Sequence, residues 1–240
     1  MKRYAAWVLT AALAAGLGMC AGEPPQAAPS PFPAPSADAG KATVTFQFDR
    51  TGMPVPRYTL TIREDGGGMY HAEETERRSA DSAVQQVSMK QVDRPIAISP
   101  ETTAKIFEAA RALNHFNVFC GTKAKNVADT GKKILTYAGA DGNGTCTYNY
   151  SDDKNVEMLT SLFYGIAYTM DVGRKLDFER RFDRLGLDAE LLALENAVKS
   201  KDALELGNIA PTLKTIASDT EVMQRARARA GKLLDETSNK

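Results

Sequence analysis

The sequence predicts an α+β fold, in which an antiparallel sheet with a packed helix is followed by a C-terminal helical region. Apolar and polar residues alternate in several stretches between residues 42 and 98, as in strands that bury one face. After Ser99, and again from residue 152 onward, apolar residues recur every three or four positions, which is typical of helices. The sheet is therefore expected to precede the helical region.

The first 20 residues have the layout of an export signal. Met1-Lys2-Arg3 is positively charged, and an apolar run of 15 residues from Ala5 to Met19 follows it. The run is rich in Ala and Gly, and it is shorter than the roughly 20 residues that a membrane-spanning helix needs. Residues 1–20 are therefore predicted to be a signal peptide, with export of the protein and no transmembrane helix in the mature chain.

Cys20 ends the apolar run and has two interpretations. The sequence Leu17-Gly18-Met19-Cys20 resembles the lipobox of bacterial lipoproteins, in which the cysteine receives the lipid, although a small residue usually stands where Met19 is. The alternative is ordinary cleavage after Cys20 or Gly22. The expected location is accordingly the periplasm, with or without a lipid anchor on Cys20, and secretion is the alternative.

Residues 21–41 are predicted to form a Pro/Ala-rich tether. Six prolines fall between Pro24 and Pro35, and almost no large apolar side chain accompanies them. Such a composition favours an extended, solvated spacer and not a packed core. A spacer placed directly after a lipid-bearing cysteine would hold a folded domain away from a membrane surface.

Residues 42–172 are predicted to be the α+β domain. Ser99 is a suitable N-cap, and Pro100 fits the first position of the helix that packs on the sheet. A hairpin follows, with Asp141-Gly142-Asn143-Gly144 as its turn. Because Cys20 belongs to the export segment, Cys120 and Cys146 are left to pair with each other in an oxidising compartment.

Residues 173–240 are predicted to be the helical region. Asp188 is a candidate N-cap, and Pro211 suits the first turn of a later helix. The sequence Ser218-Asp219-Thr220-Glu221 has the form of a capping box and predicts the start of the last helix. Arg225, Arg227 and Arg229 are expected to lie on a solvated face.

No residue is assigned a catalytic, cofactor-binding or metal-binding role. His71 lies near acidic residues, but no second ligand at metal-binding spacing accompanies it, so an exposed strand histidine is the preferred interpretation. His115 is expected at a helix C-terminus, where a positive charge is favoured. The turn Asp141–Gly144 lacks the closing Glu and the flanking helices of a calcium-binding loop.

Three motifs follow one another between residues 56 and 150: Tyr58-Thr59-Leu60-Thr61-Ile62, then Asp65-Gly66, and then Ser99-Pro100 before a helix. This arrangement resembles a family of exported bacterial domains in which a Tyr-x-Leu-x-Ile, Asp-Gly strand pair precedes a Ser-Pro-capped helix. The resemblance covers about residues 56–150, concerns the fold, and implies no functional residues.

The composition excludes one class of function and leaves three hypotheses. With 30 basic and 30 acidic residues the chain has no net charge, which argues against binding of nucleic acid. The first hypothesis is an exported, envelope-tethered, non-enzymatic protein that binds a partner protein or an envelope ligand, and touches the membrane only through the lipid anchor. The alternatives are a secreted hydrolase acting on envelope or carbohydrate substrates, and a secreted inhibitor of another protein. No cofactor is expected.

Overall fold

The structure is a computed structural model and describes residues 41–77 and 87–238. Within these residues a six-stranded antiparallel sheet and five α-helices confirm the predicted α+β class. The predicted signal peptide, the candidate lipid site at Cys20 and residues 21–40 of the tether lie outside the described residues. The strands are β1 (Thr43–Asp49), β2 (Arg57–Arg63), β3 (Gly67–Arg77), β4 (Val87–Ala97), β5 (Lys132–Gly139) and β6 (Gly142–Tyr148). The helices are α1 (Pro100–Ala112), α2 (Lys154–Phe182), α3 (Leu187–Ser200), α4 (Ala210–Ser218) and α5 (Gln224–Ser238).

The strands lie in the order β4-β3-β2-β1-β5-β6, so β4 and β6 are the edges of the sheet. The first four strands form a meander, and the β5–β6 hairpin pairs with β1 on its other side. The register places Phe46 of β1 opposite Leu60 of β2 and Leu135 of β5. Because side chains alternate along a strand, this register gathers the apolar side chains on one face of the sheet.

Helices α1 and α2 cover this apolar face. The ring of Phe163 on α2 stacks on Phe46 at a centroid distance of 4.8 Å, and both side chains are fully buried. Ile106 and Phe107 of α1 pack into the same core. The tyrosines on this face serve packing, since Tyr58, Tyr70, Tyr137 and Tyr148 are all buried.

The N-terminus of α1 is where the helical region meets the sheet. The Ser99 hydroxyl lies at the cap of α1 and donates to Glu205 at 2.8 Å. The side chain of Asn208 accepts from the backbone N–H of Ala97 at 2.8 Å and donates to its carbonyl oxygen at 3.0 Å. Asn208 thus takes the place of a neighbouring strand at this end of the edge strand β4.

Helix α2 belongs to both parts of the fold. Its residues up to Met170 pack against the sheet, whereas Val172 and Leu176 pack with the apolar residues of α3, α4 and α5. The predicted division at residues 172 and 173 therefore falls inside one continuous helix, and separate domains remain a prediction. Within the described ranges, no helix combines the length and apolarity needed to cross a membrane.

Three local predictions for the helical region were wrong. The carboxylate of Asp188 caps no helix and instead binds Arg229 at 3.0 Å and Arg225. Both arginines join α5 to α3. The predicted solvated face is wrong for Arg229, whose side chain is 22% exposed, whereas Arg225 remains 72% exposed. The sequence Ser218–Glu221 is no capping box, because the Asp219 carboxylate accepts from the Glu221 N–H in a tight turn and α5 begins later, at Gln224.

Candidate functional site

A groove with a volume of about 1120 Å³ opens where the C-terminal end of α2 passes the β3–β4 side of the sheet. Its walls are the loop between β1 and β2, the adjoining parts of β3 and β4, and the last turns of α2. The loop wall contains Met53, Pro54 and Pro56, and the helix wall contains Phe178 and Phe182. The groove is mixed in character, with apolar side chains next to charged ones.

The groove exists because α2 is longer than the sheet is wide. Along the helix, Thr160 bonds Tyr148 of β6, Phe163 stacks on Phe46 of β1, and Arg174 reaches Glu74 of β3. Eight more residues follow Arg174, which adds about 12 Å at 1.5 Å per residue. Since strands are spaced about 4.8 Å apart, the end of α2 extends beyond β4 by roughly the width of one further strand.

The overhanging end of α2 exposes two aromatic side chains. Phe178 is 57% exposed and Phe182 is 72% exposed, and their ring centroids lie 4.9 Å apart. Leu185, just after the helix, is 78% exposed. Contiguous exposed apolar side chains of this kind are typical of surfaces that contact another molecule.

The groove carries more positive than negative charge. Of the described residues that line it, five are basic and three are acidic, which leaves an excess of two positive charges. Two of the bases are paired, since Arg57 contacts Glu73 at 3.3 Å and Arg174 contacts Glu74 at 3.5 Å. The other three bases form no ion pair with any residue that the structure describes; they are Lys90, Arg94 and Arg181.

Glu74 is a largely buried carboxylate of the groove. Its side chain is 14% exposed, and burial raises its pKa above the ordinary value, against the opposing effect of Arg174 and Arg94. Asp177 lines the same groove from α2. A carboxyl group with a raised pKa retains its proton more readily and can act as an acid.

The predicted disulfide pair lies on the other side of the molecule. The sulfur atoms of Cys120 and Cys146 are 1.97 Å apart, and both side chains are buried. The bond joins the segment after α1 to β6. Residues 114–116, which connect α1 to this segment, all have positive φ angles between 50° and 64°, and the carbonyl oxygen of His115 packs against Gly144. A side chain at position 144 would place its Cβ 2.4 Å from that oxygen, so this contact requires glycine.

The two histidines have ordinary structural surroundings. On the face of the sheet opposite the core, His71 contacts Asp93 through Nδ1 at 2.5 Å. The His115 ring lies 4.7 Å from the Tyr137 ring and 3.6 Å from the carboxylate of Asp141. The Asp141 carboxylate also accepts from Arg111 and from the Tyr137 hydroxyl, and these bonds lower its pKa well below the ordinary value.

The predicted hairpin is present, but its turn consists of Ala140 and Asp141, because Gly142, Asn143 and Gly144 belong to β6. The acidic side chain of Asp141 bonds within the fold. Across the part of the chain that the structure describes, no group of three or more His, Cys, Asp or Glu side chains is arranged to hold a metal ion. Cys20, the candidate lipid site, lies outside that part.

The groove was not predicted from the sequence. The signal for its helix wall was present, because Phe178 and Phe182 are rotated by about 100° from the stripe of Phe163, Ile166 and Met170 that faces the sheet. Apolar residues so far from the buried stripe must pack on a second element or remain exposed. The cations of β4 gave no such signal, because charged residues on an edge strand are common.

Comparison of the chain with models of protein families and with curated proteins found no match.

Proposed function

We propose that the protein is an exported, envelope-tethered, non-enzymatic binding protein, and that the groove is where it holds its partner. The observation that carries this proposal is that one groove places two exposed phenylalanines beside three cations that form no ion pair with any described residue. Exposed aromatic and arginine side chains are the residue types that contribute most to protein interfaces. The expected partner presents negative charge beside a large apolar group.

The exported location is supported by the bond between Cys120 and Cys146, because a buried disulfide is compatible with an oxidising compartment. The periplasmic address and the lipid on Cys20 are part of the proposal. Mass spectrometry of the mature protein, with and without reductant, tests both. The expected mature chain begins at Cys20 with a lipid adduct; a chain that still begins at Met1 would contradict export.

Binding at the groove is tested by site-specific photo-crosslinking in cells that export the protein. A photoreactive residue replaces Phe182 in the groove, and the matched control replaces Thr147, which is exposed on the other face of the sheet. We expect a discrete adduct only from position 182, and its loss when Arg94→Glu is added. Adducts of equal yield from both positions, or none from position 182, would refute binding at the groove.

A hydrolase is the second candidate, and one observation favours it. Glu74 combines a raised pKa with a position in the groove, and Asp177 supplies a further carboxylate there. Such a pair has the composition that glycoside hydrolysis uses, namely one acid and one carboxylate. Hydrolysis of an envelope polysaccharide that is lost in Glu74→Gln, while the crosslink at position 182 is kept, would favour the enzyme.

A further inference from the structure

The edge of β4 next to the groove has backbone groups that point away from the sheet. Asn208 binds both the N–H and the C=O of Ala97, so these groups point away from β3. In an antiparallel strand this direction repeats at every second residue, which gives the same direction to Pro95, Asp93 and Gln91. Within the described ranges, no hydrogen bond occupies the backbone of Asp93 or Gln91.

The C-terminal end of this edge is closed to another strand. Pro95 has no N–H to donate, and Asn208 occupies the backbone of Ala97. Pairing with another strand is therefore expected before Pro95, at the outward backbone groups of Gln91 and Asp93. The last turns of α2 line the same groove as Lys90 and Arg94 of β4, so the exposed Phe178 is available to contact one face of an added strand.

The side chains of β4 that face α2 define what the added strand must carry. Lys90, Val92 and Arg94 lie opposite Glu74, Ala72 and Tyr70 of β3, and they share the face of the sheet that α2 covers. The two cations have no ion pair within the part of the chain that the structure describes, and Val92 stands between them. Three residues of an added strand, spaced two apart, would face them.

We propose that the partner binds as an extended acidic segment that adds a seventh strand to the sheet at β4. The segment has the pattern acidic-x-apolar-x-acidic. Its acidic side chains meet Lys90 and Arg94, and its apolar side chain enters between Val92 and Phe178. This inference rests on the proposed function, because it specifies how the groove holds its partner. The volume of about 1120 Å³ exceeds the usual range of small-molecule pockets, roughly 300–1000 Å³, and suits a peptide of several residues.

Strand addition would pair the outward backbone groups of β4, whereas a lipid headgroup or a sugar acid would leave them without a partner. A negatively charged headgroup could bind the cations, but only a peptide backbone matches the N–H and C=O groups along β4. The main-chain bonds would supply affinity, and the alternating side chains would supply specificity.

The test uses the full-length protein and a fluorescent peptide, Ser-Glu-Thr-Ile-Thr-Glu-Ser, with binding followed by anisotropy. In the proposed register the two threonine N–H groups point at β4, whereas the isoleucine N–H points away. Methylation of both threonine nitrogens should weaken binding at least tenfold, and methylation of the isoleucine nitrogen should change it less than threefold. Equal effects of the two modifications would overturn strand addition.

A substitution on the protein gives an independent readout. Gln91→Pro removes one outward N–H without removing a bond to β3, as Pro95 already does in the native strand. We expect at least a tenfold loss of peptide affinity with an unchanged circular dichroism spectrum, whereas Gln91→Thr, which retains the N–H, should bind like the wild type. Equal affinities for Gln91→Pro and Gln91→Thr would also overturn the inference.

Charge reversal separates this inference from the proposed function. Arg94→Glu should lower the affinity for the acidic peptide and raise the affinity for a version in which lysine replaces both glutamates. If Arg94→Glu has this effect while the backbone modifications have none, the groove binds an acidic segment but adds no strand. Displacement of the peptide by vesicles of phosphatidylglycerol, equally in wild type and Gln91→Pro, would point to a lipid surface and overturn the inference. If no peptide binds and position 182 also gives no adduct, the proposed function itself fails.

Discussion

Reducing the bond between Cys120 and Cys146 should make the folded protein markedly less stable. The two cysteines are 26 residues apart, and in the unfolded chain the bond closes a loop of that length. In the chain-entropy model, closing such a loop removes about 12 cal/mol/K from the unfolded state, which corresponds to about 3.5 kcal/mol at 25 °C. For a folded part of this size, the loss should lower the melting temperature by about 7–14 °C.

Urea denaturation with and without a phosphine reductant measures this difference. Cys20→Ala serves as the background, because it removes the third thiol and leaves Cys120 and Cys146 intact. The double variant Cys120→Ala, Cys146→Ala is the matched control, and its stability should not respond to reductant. If reduction changes the free energy of unfolding by less than about 1 kcal/mol, the chain-entropy argument is refuted. The unfolded chain would then be restricted to a similar extent with and without the bond.

Three further predictions concern other contacts of the fold. Gly144→Ala should destabilise the protein by about 2 kcal/mol because its Cβ would press on a carbonyl oxygen at 2.4 Å, whereas Gly207→Ala, which has open space around its Cβ, should be tolerated. Burial lowers the pKa of Lys133 to about 8, so the folded state binds this proton less tightly than the unfolded state does. Between pH 7 and pH 10 the wild type should therefore gain about 2 kcal/mol relative to Lys133→Met in urea denaturation. Asn208→Ala should cost about 1 kcal/mol and speed amide hydrogen exchange at Ala97, because both backbone groups of that residue lose their partner.

Each of these predictions has an outcome that contradicts it. Equal stabilities of the two alanine variants would mean that the turn at His115 yields to accommodate a methyl group. A pH-independent difference for Lys133→Met would mean that the four acceptor contacts of its ammonium group, to Thr130, Gly131 and Asn149, offset burial. Unchanged exchange at Ala97 in Asn208→Ala would mean that the side chain contributes nothing to closing the edge.

The elements that could be predicted from the sequence are those in which one face is buried. Burial of one face repeats apolar residues at a fixed spacing along the chain. The alternation of Val44, Phe46 and Phe48 specified β1, and the helical spacing of Ile106, Phe107 and Ala110 specified α1. The disulfide followed from the small number of cysteines once Cys20 was assigned to the export segment. Such inferences succeed because burial imposes a pattern on neighbouring residues.

The wrong predictions share a different cause. Asp188 and the sequence Ser218–Glu221 have the composition of helix caps, but distant partners determine what they do. Arg225 and Arg229 bind Asp188, about 40 residues away in the chain. Local rules cannot anticipate such contacts, because the competing partner becomes visible only when α3 and α5 are packed together.

The groove arises from a mismatch between two elements that are each regular. At 29 residues α2 is more than twice as long as an average helix, and by helix rise and strand spacing it extends past β4 by about the width of one strand. At that end of α2, Phe178 and Phe182 contribute little to the core, and Lys90 and Arg94 form no ion pair with any described residue. Surface positions of this kind have little influence on folding, so stability alone does not account for a phenylalanine that is 72% exposed. A partner strand would bury the aromatic rings, neutralise the cations and complete the backbone bonding of β4 at the same time. One occupant would thus account for all three features, which is why we propose the β4 edge as the place where the partner binds.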